Sequence, residues 1–305
     1  MVGKVQGVMR SDEVELVSGG EFEGKGLTEG PVWHPRGGYV TFVRHHLNTL
    51  YRWTPESGET SVVRDDTNHG NGCTLDKEGR ILMCEGNARR ITRREHDGSI
   101  TTVTDAFDGK RYNKPNDIIC RSDGSVYFTD PAARVKEGER QLGFSGVFQI
   151  TPDGDVRVAT DECGYPNGLA LSPDESVLYI AITRRDMNCL DEGVKGSECR
   201  HREIRAFDVT ADGGLRRNRR FAELYTPKAG GPDGLKVDTA GRVFCASAGG
   251  IWVFDPSGAH LGTIETPAKA RNLAFGGPDL RTLYICAGES LFRTEMEVPG
   301  IAGPW

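Results

Sequence analysis

Several features that would identify common classes of protein are missing from this sequence. No stretch approaches the roughly 20 apolar residues of a membrane-spanning helix. Its eight cysteines form no Cys-x-x-Cys pair, which argues against a zinc knuckle. A Gly-x-Ser-x-Gly segment is absent too, so a serine esterase is not expected. The formal net charge of −6 is opposite in sign to the basic excess of nucleic-acid-binding proteins, and we expect no nucleic-acid partner.

The beginning of the chain also lacks a recognisable targeting signal. Residues Met1 to Ser11 do not contain the apolar core of a signal peptide, so we expect a cytoplasmic protein without a membrane partner. Cys189 and Cys199 lie in a polar insertion and would pair only if oxidised. In a reducing cytoplasm we expect free thiols at both positions.

Glycine is abundant instead. The chain has 40 glycines among 305 residues, about twice the usual share of roughly 7%, and they are spread evenly. Between them, apolar and polar residues alternate over short runs, with a turn about every 8 to 12 residues. No segment with helical periodicity competes with this pattern. The sequence therefore predicts an all-β protein built from antiparallel hairpins.

Three signals recur along the chain in a fixed order. The first is a turn-like start followed by a short apolar strand, as in Asn71-Gly72-Cys73-Thr74-Leu75. The second is a polar turn before a β-rich run, as in Ser122-Asp123-Gly124 ahead of Val126-Tyr127-Phe128. The third is an alternating strand closed by another turn, such as Gly146 to Ile150. Each unit supplies about four short strands, which is one blade of a β-propeller.

Six such units are present, and each carries one polar residue at the same phase of the repeat. These residues are Glu29, Asn71, Asn116, Asn167, Asp233 and Asn272. They recur at intervals of roughly 40 to 65 residues, which is typical of propeller repeats. The sequence therefore predicts a six-bladed β-propeller with four-stranded antiparallel blades, spanning residues 1–305 as one domain.

The last unit ends near Thr294 with only three strands. Val14-Glu15-Leu16-Val17, ahead of the first unit, has the alternation of the missing strand. We predict that this N-terminal strand completes the last blade and closes the ring, which removes two exposed sheet edges. The fourth unit contains the only large insertion, at about residues 184–203, and we expect a surface loop there.

The shared phase of the six polar residues predicts a site. The first strand of each blade lines the axis of a propeller, so the six side chains are expected at one height around a central channel. All six offer oxygen acceptors, a donor set that suits Ca²⁺ first and Mg²⁺ or Mn²⁺ next. A single Pro-Asn-Gly is usually only a turn. Recurrence in all six units, with Glu29 among them, favours a metal site.

Several longer segments resemble one family. They are Glu29-Gly30-Pro31, Asn113-Lys114-Pro115-Asn116-Asp117, Tyr127-Phe128-Thr129-Asp130-Pro131, Tyr165-Pro166-Asn167-Gly168-Leu169-Ala170-Leu171-Ser172-Pro173-Asp174 and Pro232-Asp233-Gly234-Leu235. Together they are similar to the gluconolactonase and senescence-marker-protein (regucalcin) family, and the likeness runs from about Glu29 to Phe292. The resemblance implies a metal-dependent hydrolase that opens a small lactone, such as glucono-1,5-lactone.

The resemblance also implies residue roles. Glu29, Asn167 and Asp233 are expected to bind one divalent cation, with Asn116 completing the set or contacting substrate. Ca²⁺ is the expected ion, with Mg²⁺, Mn²⁺ or Zn²⁺ as alternatives. Asp233 is the candidate catalytic residue, either orienting and deprotonating the attacking water or attacking directly as a nucleophile. The expected substrate-binding residues are Asn71, Asn116, Asn272, Arg111 and Tyr165.

Two other functions remain open at this point. One is a non-catalytic propeller that binds calcium or serves as an interaction scaffold. The other keeps the metal but hydrolyses aryl esters or phosphotriesters. Among the histidines, only His69, two residues before Asn71, is placed to reach the mouth of the channel.

Overall fold

The structure is a computed structural model, and it describes residues 5–11, 13–19, 26–183, 202–226, 228 and 230–304. Six four-stranded antiparallel sheets make up most of it. Their innermost strands contact one another in cyclic order, and the sixth contacts the first. This arrangement confirms the predicted six-bladed β-propeller.

The described residues contain twenty-six strands, numbered in chain order from β1 (Glu15–Ser18), and twenty-four of them form the blades. Blade 1 contains β2 (Thr28–His34), β3 (Tyr39–Arg44), β4 (Thr49–Thr54) and β5 (Glu59–Arg64). Blade 2 contains β6 (Gly70–Leu75), β7 (Ile81–Glu85), β8 (Arg90–Arg94) and β9 (Ile100–Thr104). A small hairpin, β10 (Ala106–Phe107) and β11 (Lys110–Arg111), follows it. Blade 3 contains β12 (Ile118–Cys120), β13 (Val126–Asp130), β14 (Gly146–Ile150) and β15 (Val156–Thr160).

The remaining three blades follow the same plan. Blade 4 contains β16 (Pro166–Leu171), β17 (Val177–Ile182), β18 (Glu203–Val209) and β19 (Leu215–Glu223). Blade 5 contains β20 (Leu235–Val237), β21 (Val243–Ser247), β22 (Gly250–Phe254) and β23 (His260–Glu265). Blade 6 contains β24 (Ala270–Gly276), β25 (Thr282–Ala287), β26 (Ser290–Glu295) and β1.

The last blade is completed from the other end of the chain. Strand β1 pairs antiparallel with β26, with Glu15 opposite Arg293 and Leu16 opposite Phe292. The strand was predicted at 14–17 and lies at 15–18, so the predicted closure of the last blade is confirmed. Pairing here covers the outer edge of β26 and ties the ring shut.

The hydrophobic core lies between neighbouring blades. Blades 1 and 6 meet where Trp33 stacks on Tyr284 with ring centroids 5.8 Å apart. Blades 2 and 3 meet in a cluster in which buried Leu82 packs with Phe128 and Phe148. Complete burial of each such side chain contributes about 1.5 to 3 kcal/mol, so the sheets hold one another in place around the axis.

Helical structure is scarce in the described residues. It consists of three short 3₁₀ turns, His45–Leu47, Ala132–Arg134 and Glu137–Glu139. None of these turns has the length or apolar character needed to cross a membrane. Most of the insertion predicted at about 184–203, including Cys189 and Cys199, lies outside the described residues; β18 begins at Glu203.

Candidate active site

The six polar residues predicted from the repeat lie at breaks in the inner strands. In blades 1, 2, 4 and 6 the pairing of the inner strand shifts register at or beside the residue, between 29 and 32, 70 and 73, 166 and 169, and 270 and 272. Such bulges re-aim side chains. In blades 3 and 5 the inner strand begins two residues later, while backbone bonds such as Asn116 N to Thr129 O (2.8 Å) continue the ladder.

Glycines follow four of these residues and let the inner strands approach closely. A Cβ atom at Gly72 would lie 2.3 Å from Asp117 Oδ1, and one at Gly168 would lie 2.2 Å from the carbonyl oxygen of Asp233. The backbones are joined there, since Gly168 N donates to Asp233 O at 3.2 Å. A side chain at either position would force the strands apart and widen the ring.

The carboxamides form a directed chain of hydrogen bonds. Asn71 Nδ2 donates to Asn116 Oδ1 at 2.6 Å, and Asn116 Nδ2 donates to Asn167 Oδ1 at 2.9 Å. Asn167 Nδ2 then donates to Thr183 Oγ1 at 2.9 Å, and that hydroxyl donates to the carbonyl oxygen of Pro232 at 2.6 Å. Blades 2, 3, 4 and 5 are thus connected at one height, as the shared phase predicted.

The acidic residues occupy the other side of the ring. Glu29 Oε2 accepts a hydrogen bond from Asn272 Nδ2 at 3.1 Å and another from the backbone N–H of Gly30 at 3.1 Å. Asn272 Nδ2 also reaches Asp117 Oδ2 at 3.4 Å. Asp233 Oδ2 lies 4.0 Å from Nη1 of Arg271. No short ion pair therefore neutralises Glu29 or Asp233 among the described residues.

Burial sets the electrostatics of these carboxyl groups. It raises the pKa of Glu29, and the nearby charges of Asp233 and Asp117 raise that pKa further. Burial likewise raises the pKa of Asp233, against the opposing positive charge of Arg271. Both shifts have the same physical cause: negative charges that have lost water and lack a close counterion. A bound cation would offset that cost.

Two charged residues in the channel were not found by sequence reasoning. Asp117 stands at the position of the repeat that is occupied by glycine in four other units. It therefore adds a carboxylate to the ring at a place where those units have no side chain. Lys236, on β20, donates from Nζ to the carbonyl oxygen of Leu235 at 2.9 Å. Burial lowers the pKa of Lys236, and the negative charges of Asp117 and Glu29 act against that decrease. The sequence did contain a signal for Asp117, because an aspartate stands there in place of the usual glycine.

The donor chemistry of the ring fits a hard divalent cation. Glu29 and Asp233 provide carboxylate oxygens, and Asn116 and Asn167 provide carboxamide oxygens, the ligand types that Ca²⁺ and Mg²⁺ prefer. In the described parts of the chain, no group of three or more His, Cys, Asp or Glu side chains is arranged to hold a metal ion. Any ion on the axis would therefore depend on carboxamide ligands as well as on the two carboxylates.

The two remaining predicted residues lie outside the hydrogen-bonded ring. Arg111 is exposed on β11, and its guanidinium donates to the carbonyl oxygen of Ala88 at 3.0 Å. Tyr165 is half-buried just before β16, and its carbonyl oxygen accepts from the backbone N–H of Thr183 at 3.2 Å. The structure thus brings together the six repeat residues but not these two.

Asp130 has a clear positioning role at the end of β13. Its carboxylate accepts from the backbone N–H of Asn113 at 2.7 Å and from that of Lys114 at 2.6 Å. Asn113 Nδ2 donates to the same carboxylate at 3.0 Å. These bonds fix the segment that leads directly into Asn116.

The fold and the oxygen-lined axis define a six-bladed propeller with a polar site at its centre. The chain belongs to the SMP-30/Gluconolactonase/LRE-like family, whose model matches residues 27–289. It is 29% identical to a gluconolactonase from Zymomonas mobilis over 90% of this chain and 79% of that protein. It is 30% identical to pentonolactonase XacC from Haloferax volcanii over 85% and 80%. The solved gluconolactonase from Xanthomonas campestris superposes with a TM-score of 0.79, at 29% identity, over 97% of this chain and 98% of that one.

Proposed function

We propose that this protein is a metal-dependent lactonase that opens a small lactone ring, a sugar lactone such as glucono-1,5-lactone. The observation that carries the proposal is the convergence of buried Glu29 and half-buried Asp233 with carboxamides on the propeller axis. The names of its relatives from Zymomonas and Haloferax, a gluconolactonase and a pentonolactonase, support a lactone as substrate.

Glu29, Asn116, Asn167 and Asp233 would hold one divalent cation, with Ca²⁺ favoured because all four ligands are hard oxygens. When bound there, the ion supplies Lewis acidity toward the lactone carbonyl and stabilises negative charge on its oxygen. The hydrogen bonds of the ring prearrange this set: Asn116 and Asn167 are joined to each other, and Glu29 is held by Asn272.

Asp233 is proposed to orient the attacking water and accept its proton. The water oxygen forms a bond to the carbonyl carbon, the bond from that carbon to the ring oxygen breaks, and the proton passes to the released oxygen. The product is an open-chain hydroxy acid. A bound cation would lower the pKa of Asp233, and the carboxylate would still accept the proton because the same cation would acidify the attacking water.

Asn71, Asn116 and Asn272 are proposed to position the hydroxyl groups of the substrate. Asn71 begins the hydrogen-bonded chain of carboxamides, and Asn272 is fixed by its bond to Glu29. Tyr165, just before Asn167, is proposed to border the same space. Arg111 has no role in the proposed mechanism, because its guanidinium already donates to the carbonyl oxygen of Ala88.

A substrate panel with and without chelator tests the proposal. Glucono-1,5-lactone, an aromatic lactone and a phosphotriester are each incubated with the protein in one pH-indicator assay. We expect acid release from glucono-1,5-lactone, loss of that activity after chelation, and its return on adding Ca²⁺. Turnover of the phosphotriester alone would assign a different chemistry. Calcium binding without any hydrolysis would leave a non-catalytic calcium-binding propeller.

A further inference from the structure

Two histidines from neighbouring blades meet at the mouth of the channel, and the proposed mechanism uses neither. His45 begins the 3₁₀ turn after β3, and its backbone N–H donates to the carbonyl oxygen of Leu27, two residues before Glu29, at 3.0 Å. His69 lies two residues before Asn71, on the segment that leads into β6. Both histidines therefore lie at the end of the propeller where the ring of polar side chains is.

The imidazole of His45 reaches the inner strand of blade 2. Its Nδ1 lies 3.0 Å from the carbonyl oxygen of Gly70, the residue that joins His69 to Asn71. The inner strands of blades 1 and 2 touch at this height, since a Cβ atom on Gly30 would lie 2.2 Å from the carbonyl oxygen of Asn71. The two imidazole rings, with centroids 4.9 Å apart, thus lie beside the contact between these strands.

The contacts of these rings fix where their protons lie. A carbonyl oxygen only accepts hydrogen bonds, so Nδ1 of His45 carries the hydrogen in its bond to Gly70. Burial lowers the pKa of His45 to about 4, so the ring is neutral near pH 7 and its Nε2 is an acceptor. Nδ1 of His69 lies 3.4 Å from that nitrogen and donates to it. The neutral ring of His69 therefore has its lone pair on Nε2.

This second nitrogen of His69 is available to a ligand. Within the described residues Nε2 makes no hydrogen bond, and the side chain is only half-buried. A nitrogen with a lone pair accepts a hydrogen bond from a hydroxyl group, but it cannot donate one to a carbonyl oxygen. The ring of His69 therefore suits a ligand that carries hydroxyl groups.

The backbone around His69 is held in a costly conformation. Asn68 and His69 have φ angles of 51° and 55°, consecutive left-handed values that residues with a side chain disfavour. The backbone N–H of His69 donates to Asn48 Oδ1 at 2.6 Å, and Asn68 Nδ2 donates to the buried carboxylate of Glu85 at 3.3 Å. Strained residues that are held so firmly cluster at functional sites. Here the strained segment presents the ring of His69 at the mouth of the channel.

We propose that His69 is a further substrate-contacting residue, whose Nε2 accepts a hydrogen bond from a hydroxyl group of the lactone, and that His45 positions its ring. This inference rests on the proposed lactonase activity, because it adds a contact to the same site. Two residues of extended chain span at most about 7 Å, so His69 and Asn71 can reach neighbouring hydroxyl groups of one sugar ring. A lactone without hydroxyl groups has no donor for this contact.

Two lactones with the same ring size test the contact. Glucono-1,5-lactone and δ-valerolactone share the six-membered ring, but only the first carries hydroxyl groups. His69→Asn keeps a donor near the position of Nδ1, tolerates the left-handed backbone and removes Nε2. We expect it to lower kcat/KM for glucono-1,5-lactone by about tenfold, and for δ-valerolactone by no more than about twofold. Equal losses on both lactones would overturn the inference.

The same substitution elsewhere in blade 2 is the matched control. His96 is exposed in the turn between β8 and β9, at the opposite end of the blade from His69. His96→Asn should leave kcat/KM for both lactones within about twofold of the wild-type value, as most surface substitutions do. A loss as large as that of His69→Asn would show that the effect does not depend on the channel mouth, and would refute the assignment.

Nitrogen NMR tests the positions of the protons, whether or not any lactone is hydrolysed. Histidine with its ordinary pKa of about 6.5 is neutral at pH 8, where long-range ¹⁵N–¹H correlations distinguish its two tautomers. We expect the Nδ1–H tautomer for both His45 and His69. His45→Phe keeps a flat ring but removes the acceptor, so His69 should become a mixture of tautomers. A wild-type His69 with its proton on Nε2 would overturn the inference, and an unchanged tautomer in His45→Phe would refute the positioning role.

A binding measurement separates this inference from the proposed activity. Glucono-1,5-lactam keeps the hydroxyl groups but has an N–H in place of the ring oxygen, so it resists hydrolysis. Calorimetry should show about tenfold weaker binding of the lactam to His69→Asn than to the wild type. That result without turnover of any lactone would support the contact and refute the lactonase. Hydrolysis of lactones with unchanged lactam binding in His69→Asn would do the reverse, and neither binding nor hydrolysis would refute both.

Discussion

Asn272 Nδ2 donates a hydrogen bond to Glu29 Oε2 across 3.1 Å, although the two residues are 243 positions apart in the chain. This contact joins the inner strand of blade 6 to that of blade 1, so the ring of polar side chains closes at the same place as the propeller itself. Correct assembly of the last blade is therefore required for Glu29 to take its position on the axis.

Replacement of Asp233 by asparagine should abolish hydrolysis while preserving the fold. Asparagine already occupies the same phase in four other units, so the ring accommodates a carboxamide there. It cannot accept the proton of the attacking water, and kcat should fall by about a hundredfold or more. Steady-state kinetics and thermal melting of Asp233→Asn check both expectations; turnover at the wild-type rate would exclude the role.

An isotope experiment can decide whether Asp233 acts as a general base or as a nucleophile. In a single turnover in ¹⁸O-labelled water, a base leaves the label only in the hydroxy acid. A nucleophilic carboxylate would form a mixed anhydride with the opened lactone, and attack of water on its Asp233 carbonyl would release the hydroxy acid and leave ¹⁸O in Asp233 itself. Mass spectrometry of the peptide containing residue 233 should therefore show no label if our proposal holds.

Replacement of Glu29 by glutamine should weaken calcium binding by about tenfold or more, because one of the two charged ligands becomes neutral. The metal-free protein should respond in the opposite direction and melt at a higher temperature. Its buried carboxylate, which Asp233 and Asp117 repel, is then gone. Calorimetric titration with Ca²⁺ and thermal melting in chelator measure the two effects. Unchanged calcium affinity would remove Glu29 from the ligand set.

A methyl group at Gly168 should destabilise the ring of inner strands. The new Cβ would lie 2.2 Å from the carbonyl oxygen of Asp233 and 2.6 Å from Cα of Gly234, both backbone atoms. We expect Gly168→Ala to lower the free energy of unfolding by about 1 to 3 kcal/mol. Gly143→Ala is the control, because no atom lies within 4 Å of its Cβ. Urea unfolding of both variants should show a loss only in the first.

His34 should make stability sensitive to acid. It is buried, its Nε2 lies 3.0 Å from Thr41 Oγ1, and burial together with the charge of Arg94 lowers its pKa to about 4. The unfolded chain binds a proton near pH 6.5 and the folded one does not, so stability is lost as the pH falls from about 6.5 to 4. The loss approaches roughly 3 kcal/mol.

The variant His34→Gln isolates this effect from other acid-sensitive groups. Glutamine can still bond to Thr41 but does not titrate, so it removes only the histidine contribution. The difference in unfolding free energy between wild type and variant should therefore shift in favour of the variant between pH 7 and pH 4. A difference that stays constant over that range would show that His34 is not responsible.

The repeat made much of this structure predictable. A polar residue at one phase of six units indicated both the number of blades and the height at which their side chains meet. Likewise, the alternation of residues 14–17 identified the strand that completes the last blade, one residue from where it lies. These features follow from periodicity, which the sequence displays directly.

Features that depend on the geometry between blades were harder to predict from the sequence. Asp117 and Lys236 each occur in only one unit, so the repeat gave no reason to place them on the axis. Arg134 ends the 3₁₀ turn that follows β13, which lies outside the repeated strands. Arg111, a predicted substrate-binding residue, lies on a small hairpin outside the repeat. Loops diverge from the blade pattern, and the side chains they carry are the least predictable.

The pairing of β1 with β26 constrains the order in which this protein can fold during its synthesis. On the ribosome, β1 is synthesised before blades 1 to 5, while its partner β26 is synthesised after them. Blades 1 to 5 are each formed from consecutive segments and can assemble as they appear, whereas β1 has no partner strand until blade 6 has been made. A nascent chain stalled before blade 6 would therefore present an open ring, without Asn272 to hold Glu29.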